Sequence, residues 1–221
     1  MPNNYNNIGR LRPDKSDLDE ALEVAWISLK KNKETNDKIG IARDYNNIGQ
    51  ILKDKGDLDE ALKYGKMALE IQTELNDRVG MAIDYNNIGQ IFQEKGDLDE
   101  ALKYGKMALE IQTELNDKSS MAIIYNNIGQ IFQDKGDLDE ALKYGKMALV
   151  IDEELNDLFQ MATDYFNVIS LCYLKKNKKD ELFYLKKLKG LLDQVPEYSH
   201  MDYIMKRIME LENKSGETKE D

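Results

Sequence analysis

The sequence predicts an all-α solenoid of antiparallel helix pairs, and three observations carry that prediction. Tyr5, Tyr45, Tyr85, Tyr125 and Tyr165 stand 40 residues apart, with the surrounding text repeated around them. Within a unit, apolar residues recur at spacings of three and four, the mark of a helix with one face turned to a core. No proline lies between Pro13 and Pro196, so nothing in that span interrupts helix. Ile41–Gly80 and Met81–Ser120 differ at eight of 40 positions, so one argument covers the near-identical units 41–80, 81–120 and 121–160. Such a period means stacked units that bury each other, not a single globular core.

In each unit the first helix, A, turns Ala82, Tyr85, Ile88, Gly89 and Phe92 inward. Gly96-Asp97-Leu98-Asp99-Glu100 then ends helix A and starts helix B: the glycine accepts a left-handed turn, Asp97 caps, and Glu100 is placed to complete a capping box. Helix B runs through Ala101, Ala108, Ile111 and Leu115, and Asn116-Asp117 closes it and caps the next helix A. Gly65, Gly105 and Gly145 sit inside helix B, each at about 1 kcal/mol against alanine. Their repetition predicts a close helix approach near Phe92 or Phe132, with inheritance through duplication as the alternative.

The ends diverge from this unit. Residues 1–16 read as a degraded first half-repeat, because Arg12-Pro13 falls where helix A should finish and Ser16 replaces the turn glycine. The solenoid is expected over 17–195, its divergent last unit, 161–195, carrying Lys176 and Glu181 in place of the glycine and the first helix-B alanine. Beyond Pro196, a capping helix is expected over 198–213, with Met201, Ile204, Met205, Ile208 and Leu211 on one face. Residues 214–221 read as a disordered polar tail.

Tyr85-x-x-Ile88-Gly89-x-x-Phe92, with Gly96, Ala101 and Ala108, resembles the tetratricopeptide repeat, and the resemblance covers about residues 2–195. The 40-residue unit is similar to the longer-repeat branch of that family, found in kinesin light chains, Pins-type adaptors and Rap-type receptors. The resemblance implies a right-handed superhelix whose A helices line a concave groove, and a protein-interaction scaffold or adaptor. The helix-B aromatic common in the family is the departure, replaced here by Gly65, Gly105 and Gly145.

Composition narrows the function classes. A formal charge of −11 disfavours nucleic-acid phosphates and anionic membranes, and suits a neutral or basic protein or peptide partner. The N-terminal residues show neither a basic nor an apolar signal region, and no run approaches a membrane span, which reads as cytoplasmic. Cys172 lies in an apolar run and reads as a buried inert thiol. One histidine, His200, rules out histidine-rich metal sites, and the repeated Asp57-Leu58-Asp59-Glu60 turns read as helix caps and not as calcium loops. No phosphate loop, nucleophile elbow or dinucleotide fingerprint appears, so no cofactor, metal or enzymatic activity is expected.

The informative polar residues are Asn46 and Asn47, Asn86 and Asn87, Asn126 and Asn127, and Asn167 in the fourth copy. Asparagine lies low in helix propensity, by up to about 0.7 kcal/mol, so these mid-helix copies call for an explanation. The resemblance implies that they, with Gln50, Gln90 and Gln130, face the groove. A ladder of amides could pair with the backbone of an extended peptide without reading its side chains. The alternative is that one asparagine of each pair bonds to a neighbouring helix and fixes the stacking, and the first of each pair fits that role better than the second. Gln93, Gln133 and Tyr173 make a second row beside the groove, following Lys53. The central units lack the basic residues with which co-chaperone repeats hold a terminal carboxylate. The rival reading is a self-associating solenoid, a homo-oligomer without a peptide ligand.

Overall fold

The computed structural model describes residues 15–193 and 201–216; the expectations resting on Tyr5, Pro13, the half-repeat up to residue 14, Pro196, His200 and residues 217–221 lie outside the described residues. Within them the chain forms ten helices and no strand. The A helices are α2 (Lys38–Lys55), α4 (Arg78–Glu94), α6 (Lys118–Asp134) and α8 (Leu158–Leu174). The B helices are α1 (Lys15–Glu34), α3 (Leu58–Leu75), α5 (Leu98–Glu114), α7 (Leu138–Leu155) and α9 (Lys178–Leu192), and α10 (Met201–Gly216) follows as the last. Each helix packs on its neighbours in the chain, and α2 also meets α4, as α4 meets α6. The A helices therefore form the inner layer of a helical solenoid.

The turns follow from local chemistry. Asn36, Asn76, Asn116 and Asn156 end the B helices in the left-handed region, with φ between 52° and 55°, and the following aspartates cap the A helices. Asp37 and Asp77, for example, each accept from a glycine N–H three residues on at 3.0 Å. Gly56, Gly96 and Gly136 take φ of 81° to 88° at the A-to-B turns; Lys176 holds the same place in the last unit at φ 57°, where a side chain costs about 1–2 kcal/mol. The capping box is only half made. Asp97 and Asp137 accept from the Glu100 and Glu140 N–H groups, but the glutamate carboxylates turn outward to Lys103 and Lys143 one turn along.

The core is built from the expected faces, with two corrections. Ala82, Ile88, Gly89, Ala101, Ala108 and Ile111 are buried, whereas Leu115 ends its helix exposed. The glycines inside helix B mark close approaches, but not to phenylalanine. A Cβ at Gly65 or Gly105 would stand 3.2 Å from Ile88 or Ile128 of the next repeat, while Phe92 and Phe132 stack instead on Tyr104 and Tyr144. The missing side chain lets an isoleucine of the following A helix seat itself against helix B.

Period-matched ion pairs tie the outside of the stack: Lys95 to Asp59, Lys135 to Asp99 and Lys175 to Asp139, each across 36 residues. Their aspartates are almost fully exposed, so each pair contributes at most about 1 kcal/mol. Beyond the repeats, α10 runs three residues past the expected end of the capping helix and packs on α9 through Ile204, Ile208 and Leu211. Glu181, at the alanine position of α9, is buried and accepts two bonds from Arg207 of α10, at 2.7 and 3.1 Å.

Because the units are interchangeable, removing residues 41–80 in register should leave a folded solenoid. The splice brings α4 against α1, where Asp84 inherits the place of Asp44, and Asp44 accepts from Ser28 at 2.9 Å and Asn32 at 2.7 Å. Circular dichroism should show an unchanged helical signal per residue and a cooperative melt. An unfolded splice variant would refute the interchangeability.

Candidate functional site

The open face of each A helix is a single stripe with helical spacing. On α4 it reads Val79, Ile83, Asn87, Gln90, Glu94, and on α6 it reads Ser119, Ile123, Asn127, Gln130, Asp134. Because these helices lie side by side, the stripes align into rows along the inner face. Asn47 is exposed, while Asn87, Asn127 and Asn167 are half-buried.

The two asparagines of each pair separate physically. Asn46 donates to Oδ1 of Asp84 and Asn126 donates to Oδ1 of Asp164 at 2.6 Å, each bond joining one A helix to the next. Both acceptors are fully buried. In the intervening unit the aspartate is replaced by Ile124, so Asn86 has no such acceptor ahead of it; it accepts instead from Asn127 at 2.8 Å. The first asparagines are thus engaged in stacking, Asn127 is shared between stacking and groove, and Asn47, Asn87 and Asn167 lie on the open face.

The second row is drawn largely into bonds between helices. Lys53 is buried and donates to Gln90 at 3.0 Å, and Gln93 donates to Asp134 at 2.6 Å. Gln50 and Gln130 reach the acids one turn on, Asp54 at 3.0 Å and Asp134 at 3.2 Å. Gln133 borders the small cleft between α6 and α8, with Asn126, Gln130 and Asn167. Tyr173 is covered on one face by the Arg207 guanidinium, 5.2 Å from its ring centre, so it belongs to the docking of α10 as much as to the groove.

A larger cleft of about 440 Å³ lies between α2 and α4, bordered by Ile39, Asn46, Asn47, Val79, Ile83 and Asn87. At its wall the Gln72 amide of α3 is buried against Gly80, where an added Cβ would displace it, and its enclosed Oε1 has no hydrogen-bond partner. The apolar residues here were not anticipated as site residues. Ile39, Val79, Ile83, Ile123 and Phe159 are all about half or more exposed. Their signal in the sequence was available: apolar residues four positions before Asn87 and Asn127, on the groove stripe and off the core stripe.

Burial raises the two carboxyls that receive the first asparagines. Asp84 is pushed up to about 7, the Asn46 bond only partly opposing. Asp164 is pushed up to about 8, first by burial and then by Asp152 of α7, while the Asn126 bond pulls the other way. Burial likewise raises the Cys172 thiol to about 11, as befits an inert core cysteine. Among the described residues no group of three or more His, Cys, Asp or Glu side chains is placed to hold a metal, and no helix is long and apolar enough to cross a membrane.

The family model for the tetratricopeptide repeat matches residues 40–114 and 80–154, together more than half of the chain. No curated protein sequence matches. Among solved structures, BtubC (BKLC) from P. vanneervenii superposes with a TM-score of 0.76 at 17% identity, over 90% of this chain and 84% of its own. The apo form of RapI superposes at 0.72 and 20% identity, over 87% of this chain and 53% of its own. Aspartyl phosphate phosphatase F from Bacillus subtilis superposes at 0.74 and 16% identity, over 86% of this chain and 51% of its own. This chain thus spans about half the length of the last two, and the likeness is one of fold.

Proposed function

Since the chain belongs to the tetratricopeptide repeat family, we propose that it is a protein-interaction scaffold that holds a peptide segment of a partner along the inner face of its A helices, with no catalytic role. The observation that carries this reading is the amide row. Asn47, Asn87 and Asn167 stay on the open face, although each is a poor helix former and the stacking bonds come from Asn46, Asn126 and the Asn86–Asn127 pair. Donors and acceptors left on a concave surface can pair with the backbone of an extended chain. The acidity of the chain favours a neutral to basic partner.

The two asparagine positions give the test. Asn47→Ala with Asn87→Ala should weaken partner binding by about 1–3 kcal/mol, at roughly 0.5–1.5 kcal/mol per neutral bond, with an unchanged or higher thermal midpoint. Asn126→Ala should do the opposite. It strips Oδ1 of the buried Asp164 of its donor, leaving that carboxyl with Asp152 as its other partner, and should cost about 1–3 kcal/mol of stability. Titration calorimetry and thermal melts on the same samples decide between the roles; undiminished affinity in the Asn47, Asn87 variant would remove the amide row from the site.

A further inference from the structure

The groove is not uniform across its width. At the N-terminal ends of the A helices runs an apolar row, Ile39, Val79, Ile83, Ile123 and Phe159, exposed by 57%, 51%, 48%, 49% and 67%. Arg43 lies in this row on α2. At the C-terminal ends runs an acidic row, Asp54, Glu94 and Asp134, all exposed. The amides lie between. A carboxylate at a helix C-terminus opposes the helix dipole, a cost that the neighbouring amides and Lys53 offset only in part. Each already has a partner at the edge of the amide row: Gln50 bonds Asp54, Gln130 bonds Asp134, and Lys53, whose Nζ lies 3.8 Å from Glu94, reaches across from α2, while all three carboxylates stay exposed.

The cleft of about 440 Å³ between α2 and α4 lies along the apolar row, bordered by Ile39, Val79 and Ile83 with Asn47 and Asn87. Apolar wall, amides and acidic rim lie in that order across the same groove.

Spacing then sets the ligand's pattern. Packed helices stand about 8–10 Å apart. A polyproline-II chain advances about 3.1 Å per residue with three residues per turn, roughly 9.3 Å, so every third side chain meets an equivalent point on the next A helix. A β-strand repeats at about 6.8 Å and drifts out of step. We propose that the groove takes an extended, polyproline-II-like segment in which an apolar residue and a Lys or Arg each recur about every third position. The apolar side chains lie against the Ile83 and Ile123 side and the cations against Glu94 and Asp134. This rests on the groove reading above and adds the chemistry of its occupant.

A phage-displayed library of random 12-residue peptides, selected on the intact chain, tests it. Clones that no longer bind the Asn47→Ala, Asn87→Ala variant are groove ligands. These should be enriched in apolar and basic residues at three-residue spacing. Synthetic copies should lose about tenfold in affinity on Glu94→Gln with Asp134→Asn and weaken with added salt, while that variant keeps the parent's helical signal and a cooperative melt. Groove ligands without recurring basic positions, or indifferent to that double substitution, would overturn the inference and leave the groove reading standing. A library that yields no groove ligand would overturn both.

Discussion

Arg207→Ala should release α10 from the end of the solenoid and lower the thermal midpoint by roughly 6–20 °C. The Glu181 carboxylate is 2% exposed and receives both bonds from the Arg207 guanidinium. Removing one partner of a buried pair leaves an uncompensated charge, at about 3–5 kcal/mol, and each kcal/mol moves the midpoint of a chain this size by about 2–4 °C. Part of the loss will be absorbed by local fraying of α9 and α10, since neighbour contacts alone hold the end. The companion variant, Glu181→Ala with Arg207→Met, puts back the alanine of the other units and should recover most of the stability. Ile204→Asp with Ile208→Asp attacks the same dock from its apolar side, where the two isoleucines are 0% and 7% exposed. That variant should associate, by light scattering, through the uncovered face of α9. An unchanged melt in Arg207→Ala would mean that the Glu181–Arg207 pair contributes nothing to holding the end.

The duplicated text made the helix pairs and their turns legible, because the same caps and the same inward faces are written three times over. The width of the groove was harder to read. Adjacent asparagines differ by about 100° around a helix, so which of Asn46 and Asn47 faces the next A helix depends on a rotation that periodicity leaves open. Asp84 and Asp164 carried a signal that could have settled it: a carboxylate beside Tyr85 or Tyr165, on a stripe otherwise apolar, needs a donor from a neighbour. The change to Ile124 is the informative exception, since it shows what Asn86 does when the acceptor is gone. Glu181 stood out as a charge in an alanine's place, but its partner lies 26 residues on, beyond Pro196, where no local pattern points.

The protein should be less stable at pH 8.5 than at pH 6, and Asp164→Asn should remove most of the difference. Asp164 is fully buried on α8 and shares its site with Asp152, 4% exposed on α7, whose carboxyl is also raised by burial. Asn126 on α6 supplies one bond to Asp164 and Asp152 the other; Asp157, at the start of α8, adds a further negative charge near Asp152. Two carboxyls in one buried site hold together when they share a proton and repel when both ionise. The unfolded chain ionises Asp164 near pH 4, the folded chain near 8, so between those values the folded state holds the extra proton and stability falls as pH rises. Below about 4 both states are protonated and this penalty is absent; above about 8 it is complete. A tenfold difference in proton affinity between the two states is worth about 1.4 kcal/mol, so the expected loss from pH 6 to 8.5 is on the order of 2–4 kcal/mol, or roughly 4–16 °C in the melt. Asparagine at 164 keeps an oxygen for Asn126 and offers Asp152 an uncharged donor, so its melt should be nearly flat from pH 6 to 8.5 and higher than the parent's at the alkaline end. Asp84, raised less by burial with Asp77 adding to it, adds a smaller slope that Asp84→Asn should remove. Hydrogen exchange should place the alkaline loosening in α7 and α8 first. A parent melt as high at pH 8.5 as at pH 6, with Asp164→Asn superimposed on it, would show that the pair carries no shared proton.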